Sequence, residues 1–252
     1  DQNRQIYIVH HPEEDIHGYV EVFKSVRMAF DGKILVISPF TARQIGDHVD
    51  SAPVVPNPVT PVLWALREDL DATSPRRDVL LFWKENQSGR EGAAVIEALL
   101  RIRPQTTVTV WCSGVGAKAG AQAALPNSDF AESLSESELG QLFLDHSFLI
   151  FPSNYEGFGM PPIEAMAGGC VPVLHPNVGA AELYARDGEN CLVLGPEPSD
   201  VAQQMAGLLA DPETLQRMRR SAADSIGPFN PNGYGMRLLA AASVDVEGTK
   251  VA

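Results

Sequence analysis

Two glutamates frame a glycine-rich run in Phe151-Pro-Ser-Asn-Tyr-Glu-Gly-Phe-Gly-Met-Pro-Pro-Ile-Glu-Ala-Met-Ala-Gly-Gly-Cys-Val-Pro-Val173. Gly157 and Gly159 allow tight turns and let a ligand approach main-chain N–H groups closely. Pro161 and Pro162 suit the first turn of a helix, where a missing N–H costs nothing. A loop that feeds a helix N-terminus in this way is a site for an anion. Glu156 stands before the loop, and Glu164 is expected in the helix's first turn. An ionised carboxylate accepts from two hydroxyls at once, and sugars and ribose present hydroxyls in such pairs. A phosphate held between two diol-binding carboxylates describes a site for a nucleotide sugar. Singly, Glu164 is also what a helix dipole attracts and Glu156 what a solvated loop carries. The reading rests on the whole run.

The elements that must position this loop are short apolar runs alternating with helical patterns. Residues 148–151 predict a strand ending where the loop begins, and ligands of parallel α/β sheets bind beyond the carboxyl ends of strands. Further strands are predicted at 6–9, 33–37, 52–55, 79–82, 106–112, 171–174 and 191–194. Tyr19, Val22, Phe23, Val26 and Phe30 recur at helical spacing, and helices are also predicted over 91–103, 199–210, 212–225 and 230–242. Ser38 and Thr41 are credible caps of a short helix, and Ser135 with Glu138 forms a capping box. Residues 66–78 are polar and turn-rich and read as a long loop or junction. Alternating helices and fully apolar strands imply a doubly wound α/β domain with a parallel sheet, from about residue 59 to 228.

Composition narrows the function classes. The chain has 252 residues, a formal net charge of −13 and 44% hydrophobic residues, room for one large domain or two modest ones. The acidic balance repels phosphate backbones, so nucleic acid is not an expected partner. Cys112, Cys170 and Cys191 form no C-x-x-C pair, which argues against a disulfide framework or structural zinc and fits a reducing cytoplasm. Each reads as a small buried apolar residue. No apolar run reaches the ~20 residues of a membrane span. Gly114 and Gly116 follow a strand but lack the full dinucleotide fingerprint, so no nicotinamide cofactor is expected. No metal site is evident. His17, His48, His146 and His175 have no partner pattern and read as structural or surface residues.

The pattern E-G-F-G-x-P-x-x-E-A-M-A-x-G resembles the E-x7-E signature of glycosyltransferase family four, the retaining glycosyl transferases group 1. Residues 134–139, 178–182 and 187–193 resemble further family segments, as do Val36-Ile-Ser38 with Thr41 and Val55-Pro-Asn57. The resemblance covers residues 5 to 228 or so and implies a GT-B fold. That fold would comprise a complete C-terminal Rossmann-like doubly wound parallel sheet and the later part of an N-terminal Rossmann-like domain, with the active site between them. The implied organisation is 1–58 as a remnant of the acceptor-side domain and 59–228 as the nucleotide-sugar-binding domain. Residues 229–252 would form a helix crossing back to the first domain, and a tail. The family's chains are longer at the N-terminus, so the numbering is expected to begin inside a longer polypeptide.

The resemblance also implies an activity: transfer of a sugar from a nucleotide-diphosphate sugar to an acceptor hydroxyl, with retention at the anomeric carbon and no bound metal or other cofactor. The acceptor, whether glycan, lipid or small molecule, stays open, as do the donor sugar and base. By resemblance, Glu156 holds donor-sugar hydroxyls. Gly157, Phe158, Gly159 and Met160 line the sugar and diphosphate, and Glu164 binds the ribose diol. The base is expected near Phe130 and Leu134. Lys84 and Arg90 correspond to the family's cationic pair on the diphosphate, with the residue types exchanged and Glu91 beside them. Arg and Lys are not equivalent on phosphate. His10 best matches a histidine near the donor sugar, with His11 as its rival. A cytoplasmic location is expected, with weak membrane association only through a segment before Asp1. The alternative is a non-catalytic or split module that holds a nucleotide sugar and needs a partner or missing domain. A GT-B epimerase or phosphorylase fits the run less well.

Overall fold

Strands that are apolar on both faces belong in a sheet covered on both sides, and that is how they are placed here. The computed structural model describes residues 6–9, 33–45, 52–70, 77–84, 87–153, 156–175 and 179–243. β1 (Ile6–Val9) and β2 (Lys33–Val36) pair in parallel. The larger sheet comprises β3 (Arg77–Lys84), β4 (Val108–Ser113), β5 (Asp129–Ala131), β6 (His146–Phe151), β7 (Val171–Leu174) and β8 (Leu192–Val193). Its order is β5-β4-β3-β6-β7-β8 and all its pairs are parallel. This is the doubly wound order: the chain winds outward to β5, then restarts beside β3 at β6. The crevice that such a reversal opens lies beyond the carboxyl ends of β3 and β6.

Side-chain alternation along β3 sorts the core. Leu80 and Phe82 pack with Leu149 and Phe151 on one face, whereas Val79, Leu81 and Trp83 pack with Val110, Ile150 and Val173 on the other. The helices, in chain order, are α1 (Pro39–Ile45), α2 (Pro61–Ala65), α3 (Gln87–Ile102), α4 (Ala117–Ala124), α5 (Glu136–Asp145), α6 (Met160–Ala167), α7 (Pro198–Ala210), α8 (Pro212–Ser225) and α9 (Tyr234–Ser243). Helices α2, α5 and α6 pack together over the Phe82 face, while α3 packs on α7 over the Trp83 face. The capping box opens α5 with both of its hydrogen bonds made. Cys112, Cys170 and Cys191 are buried thiols, and His146 is buried between Leu142 O and Thr109 Oγ1, a structural role.

Several expectations are corrected. Residues 52–55 make one parallel bridge, Val54 with Val36, rather than a strand, because Pro53 and Pro56 donate no ladder hydrogen bonds. The polar stretch 66–78 is not one long loop. Leu66–Asp69 is a 3-10 turn docked on the domain by Arg67, which stacks on Trp64 and donates to Ala223 O at 3.0 Å. β3 then begins at Arg77, and α3 begins at Gln87, four residues before the predicted start. Three of these elements went unpredicted: the short helix α2, entered through Thr60; α4, an alanine-rich helix entered through Gly116 at φ 81°; and the short edge strand β5. The expected helix around residues 19–30 lies outside the described residues. α9 lies against β2.

Candidate active site at the sheet's reversal point

β3 ends at Lys84 and β6 at Phe151, adjacent strands whose carboxyl ends face the crevice. Lys84 Nζ donates to Glu156 Oε1 at 2.8 Å, and Ser153 Oγ donates to the same oxygen at 2.8 Å. Glu156 is the more enclosed member of the ion pair, 15% exposed against 40% for Lys84. With Oε1 held by two donors, Oε2 is the acceptor left for a ligand. Sequence reasoning missed Ser153. Its signal was its position between the strand end and the carboxylate.

The loop after Glu156 is fixed through its carbonyls. Gly157 O accepts from Ser38 Oγ at 2.8 Å and Thr41 Oγ1 at 3.2 Å, and Phe158 O accepts from Ala180 N at 3.1 Å. Glu156 O lies against Gly179, where a Cβ would come within 2.1 Å of it. The peptides are trans, and in a trans peptide the N–H points opposite to the C=O. Carbonyls turned inward therefore turn the N–H groups of Phe158 and Gly159 outward, and among the described residues nothing accepts them. Gly159 sits at φ 81°, a conformation that other residues adopt at a cost. It leads into α6, whose second and third residues are Pro161 and Pro162. Those prolines remove two of the helix's free donors, so the anion-facing amides are those of the loop and of Met160.

Glu164 lies in the second turn of α6 rather than the first, since the helix starts at Met160. It is partly buried. Burial, and then the negative charge of Glu136, push its carboxyl up to about 7. No described residue donates it a hydrogen bond.

Arg90 is placed elsewhere. It is the fourth residue of α3, exposed, and lines an open cavity of about 1320 Å³ with Trp83, Glu91, His175, Leu194 and Pro196. That cavity lies on the Trp83 face, and no residue of 156–164 lines it. The structure thus joins Lys84 to Glu156 and leaves Arg90 on the opposite face of β3. His10 and His11 lie outside the described residues. Phe130 is in β5 and Leu134 one residue before the N-cap of α5, both half-buried. No group of three or more His, Cys, Asp or Glu is gathered for a metal among the described residues. No helix among them is long and apolar enough to cross a membrane.

Residues 114–225 match the sequence model of the glycosyl transferases group 1. Over those residues the chain is similar to that family. The match takes in the 156–164 loop, the capping box and residues 187–193, whereas Ser38, Thr41, Lys84 and Arg90 lie outside it. Within the last of these segments the work is architectural: buried Asn190 donates to Tyr184 O at 2.8 Å and Ser225 Oγ at 2.6 Å. A D-inositol 3-phosphate glycosyltransferase of Streptomyces bingchenggensis is 36% identical over 118 residues, 46% of this chain and 25% of that protein. A GDP-mannose:cellobiosyl-diphosphopolyprenol alpha-mannosyltransferase of Xanthomonas oryzae is 25% identical over 60% of this chain and 42% of its own length. The chain thus matches from a quarter to less than half of the length of these relatives. Among solved structures, Anabaena Alr3699/HepE in complex with UDP superposes with a TM-score of 0.74 at 18% identity, over 94% of this chain and 71% of that one. TarM superposes with a TM-score of 0.75 at 13% identity, over 94% and 50%. The fold is therefore of the GT-B type, built here on a six-stranded parallel sheet.

Proposed function

We propose that the protein transfers a sugar from a nucleoside-diphosphate sugar to an acceptor hydroxyl with retention of configuration, without a bound metal, in the cytoplasm. The observation that carries this reading is the loop 156–159, whose inward carbonyls present outward amides beside Glu156 and Lys84. The donor diphosphate lies against the amides of Phe158, Gly159 and Met160. Negative charge grows on the diphosphate as the sugar–oxygen bond loosens, and preorganised amides, the N-terminus of α6 and the Lys84 ammonium stabilise it. Glu156 accepts donor-sugar hydroxyls through Oε2, and Gly157 leaves room for the ring. Glu164 accepts the ribose diol. Arg90 adds a positive field from the neighbouring crevice, and the resemblance assigns His10 to the donor sugar. In the domain division that goes with this reading, residues 59–228 hold the donor, 1–58 belong to the acceptor side and 229–252 return to it.

A second reading, a module that holds the donor without transferring it, is favoured by the placement of Arg90 away from Glu156. Release of nucleoside diphosphate from UDP-, GDP-, ADP- and dTDP-sugars, with and without acceptor, separates the two. Turnover is expected in the wild-type protein and its loss, by ~100-fold or more, in Glu156→Ala and Glu164→Ala. Undiminished turnover in either variant overturns the assignment, and donor binding with no turnover supports the module.

A further inference from the structure

We infer that Ser38 and Thr41 are positioning residues of the donor site: their hydroxyls, carried on α1 and its cap, set the orientation of the loop peptides that meet the diphosphate. The inference rests on the donor reading given above.

The two hydroxyls converge on one acceptor. Ser38 ends the segment after β2 and caps α1, accepting from Thr41 N at 3.0 Å. Thr41 is the third residue of α1. Both side chains are fully buried, their oxygens 2.9 Å apart, and both reach Gly157 O, more than a hundred positions away in sequence. A carbonyl has two lone pairs, and here both are used. The peptide joining Gly157 to Phe158 is therefore fixed about its axis, and its N–H is fixed outward. Without the hydroxyls, the carbonyl would be buried against apolar side chains with no donor. It would gain a hydrogen bond by turning outward, which would bring a negative oxygen to where the diphosphate needs an amide.

The same helix braces the loop from behind. Arg43 makes a two-point contact with Glu182, at 3.1 and 2.9 Å. Glu182 lies two residues after Ala180, which with Gly179 backs the carbonyls of Glu156 and Phe158. A capped helix of seven residues thus holds the loop both directly and through its support.

The test measures binding by calorimetry in the full chain, using UDP, GDP and ADP and their parent nucleosides. The diphosphate that binds the wild-type protein most tightly is carried forward with its nucleoside. Thr41→Val keeps the shape and removes the hydroxyl, Thr41→Ser keeps the hydroxyl, and Ser38→Ala with Thr41→Val removes both. The double variant is expected to weaken diphosphate binding by about tenfold and Thr41→Val by about threefold. Nucleoside affinity is expected to hold within about twofold and Thr41→Ser to match wild type. Should the double variant not fold, the Thr41 pair decides. Equal weakening of diphosphate and nucleoside, or no weakening of either, overturns the positioning role while leaving the donor reading intact. A wild-type protein that binds none of the three diphosphates overturns the donor reading and this inference with it.

Discussion

Two crevices open along the carboxyl edge of the same sheet, and they are built in different ways. The one on the Phe82 face is made of main chain: inward carbonyls, outward amides, a carboxylate already held by an ammonium and a hydroxyl. The one on the Trp83 face is lined by side chains, among them Trp83, Arg90, Glu91 and His175. Adjacent residues of β3 divide between them, because Trp83 and Lys84 point to opposite faces. The family resemblance implied one cationic pair from Lys84 and Arg90, but Lys84 turns to Glu156 while Arg90, on α3, lines the crevice on the Trp83 face. A site whose donors are amides is fixed by packing behind it, whereas exposed side chains that line a crevice can be exchanged without disturbing the frame.

The largest test of that difference substitutes one glycine behind each crevice. At Gly179 a Cβ would stand 2.1 Å from Glu156 O and 2.6 Å from Gly157 O, both backbone atoms that cannot swing aside. Overpacking of this kind costs ~1–3 kcal/mol, occasionally more. Gly179→Ala is expected to lower the melting temperature and abolish nucleoside-diphosphate binding. At Gly120 in α4, the nearest atom to an added Cβ is Trp83 Nε1 at 3.7 Å, an ordinary contact. Gly120→Ala is expected to raise stability by ~0.5–1 kcal/mol, as alanine does in a helix interior, and to leave binding unchanged. Similar losses in both variants would mean that the two crevices are one.

A second test uses the carboxyl of Glu164. Burial pushes it up to about 7 from 4.5, so the folded state holds the proton that the unfolded chain releases earlier. A raised pKa gives stability that is fully present below about pH 4.5 and falls as pH rises to about 7 and above. Glutamine has no proton to lose. The stability gained by Glu164→Gln over wild type is therefore expected to grow between pH 4 and pH 8, towards ~3 kcal/mol at the alkaline end. Donor affinity should move the opposite way, since a diol donates to the ionised carboxylate. Wild-type binding should tighten from pH 6 to pH 8, and binding by the glutamine variant should stay weak and flat. Chemical denaturation and calorimetry across that range check both slopes. Parallel stability curves for the two proteins would remove burial as the cause.

How much of this could be read from the residues varies with how local the cause is. The capping box at Ser135, the strand at 171–174 and the bounds of α8 follow from rules that act within one or two turns, and the structure places them where the pattern does. The loop at 156–164 was legible for the same reason, since glycine, proline and glutamate each have a local meaning. α4 was hidden because alanine and glycine give no apolar stripe, and β5 because three edge residues give no alternation. The bond from Ser38 and Thr41 to Gly157 O could not be read at all. Capping accounts for Ser38 alone, since Thr41 lies inside α1 rather than at its cap, and the partner more than a hundred positions away leaves no periodic trace. The division of Lys84 from Arg90 was obscured because α3 begins before its apolar pattern does.

The smallest expected effect sharpens the comparison most, because it asks whether the Trp83 crevice contributes to the donor site at all. Lys84 contacts Glu156 at 2.8 Å beside the loop amides, so removing its charge acts at contact range. Lys84→Met is expected to weaken diphosphate binding by about tenfold, with most of that loss persisting at high salt, as for a charge-assisted contact. Arg90 is exposed, lines the other crevice and acts on the diphosphate only through the field. Exposed charges are screened over ~8 Å at physiological ionic strength, and over ~3 Å at 1 M salt. Arg90→Ala should therefore weaken binding by about twofold to threefold in dilute buffer and by nothing measurable at 1 M salt. Calorimetric titrations of both variants at the two salt concentrations give the four numbers needed. A tenfold loss for Arg90→Ala that survives high salt would mean that the bound donor reaches over the end of β3 to a direct contact, and the two crevices would then be halves of a single site.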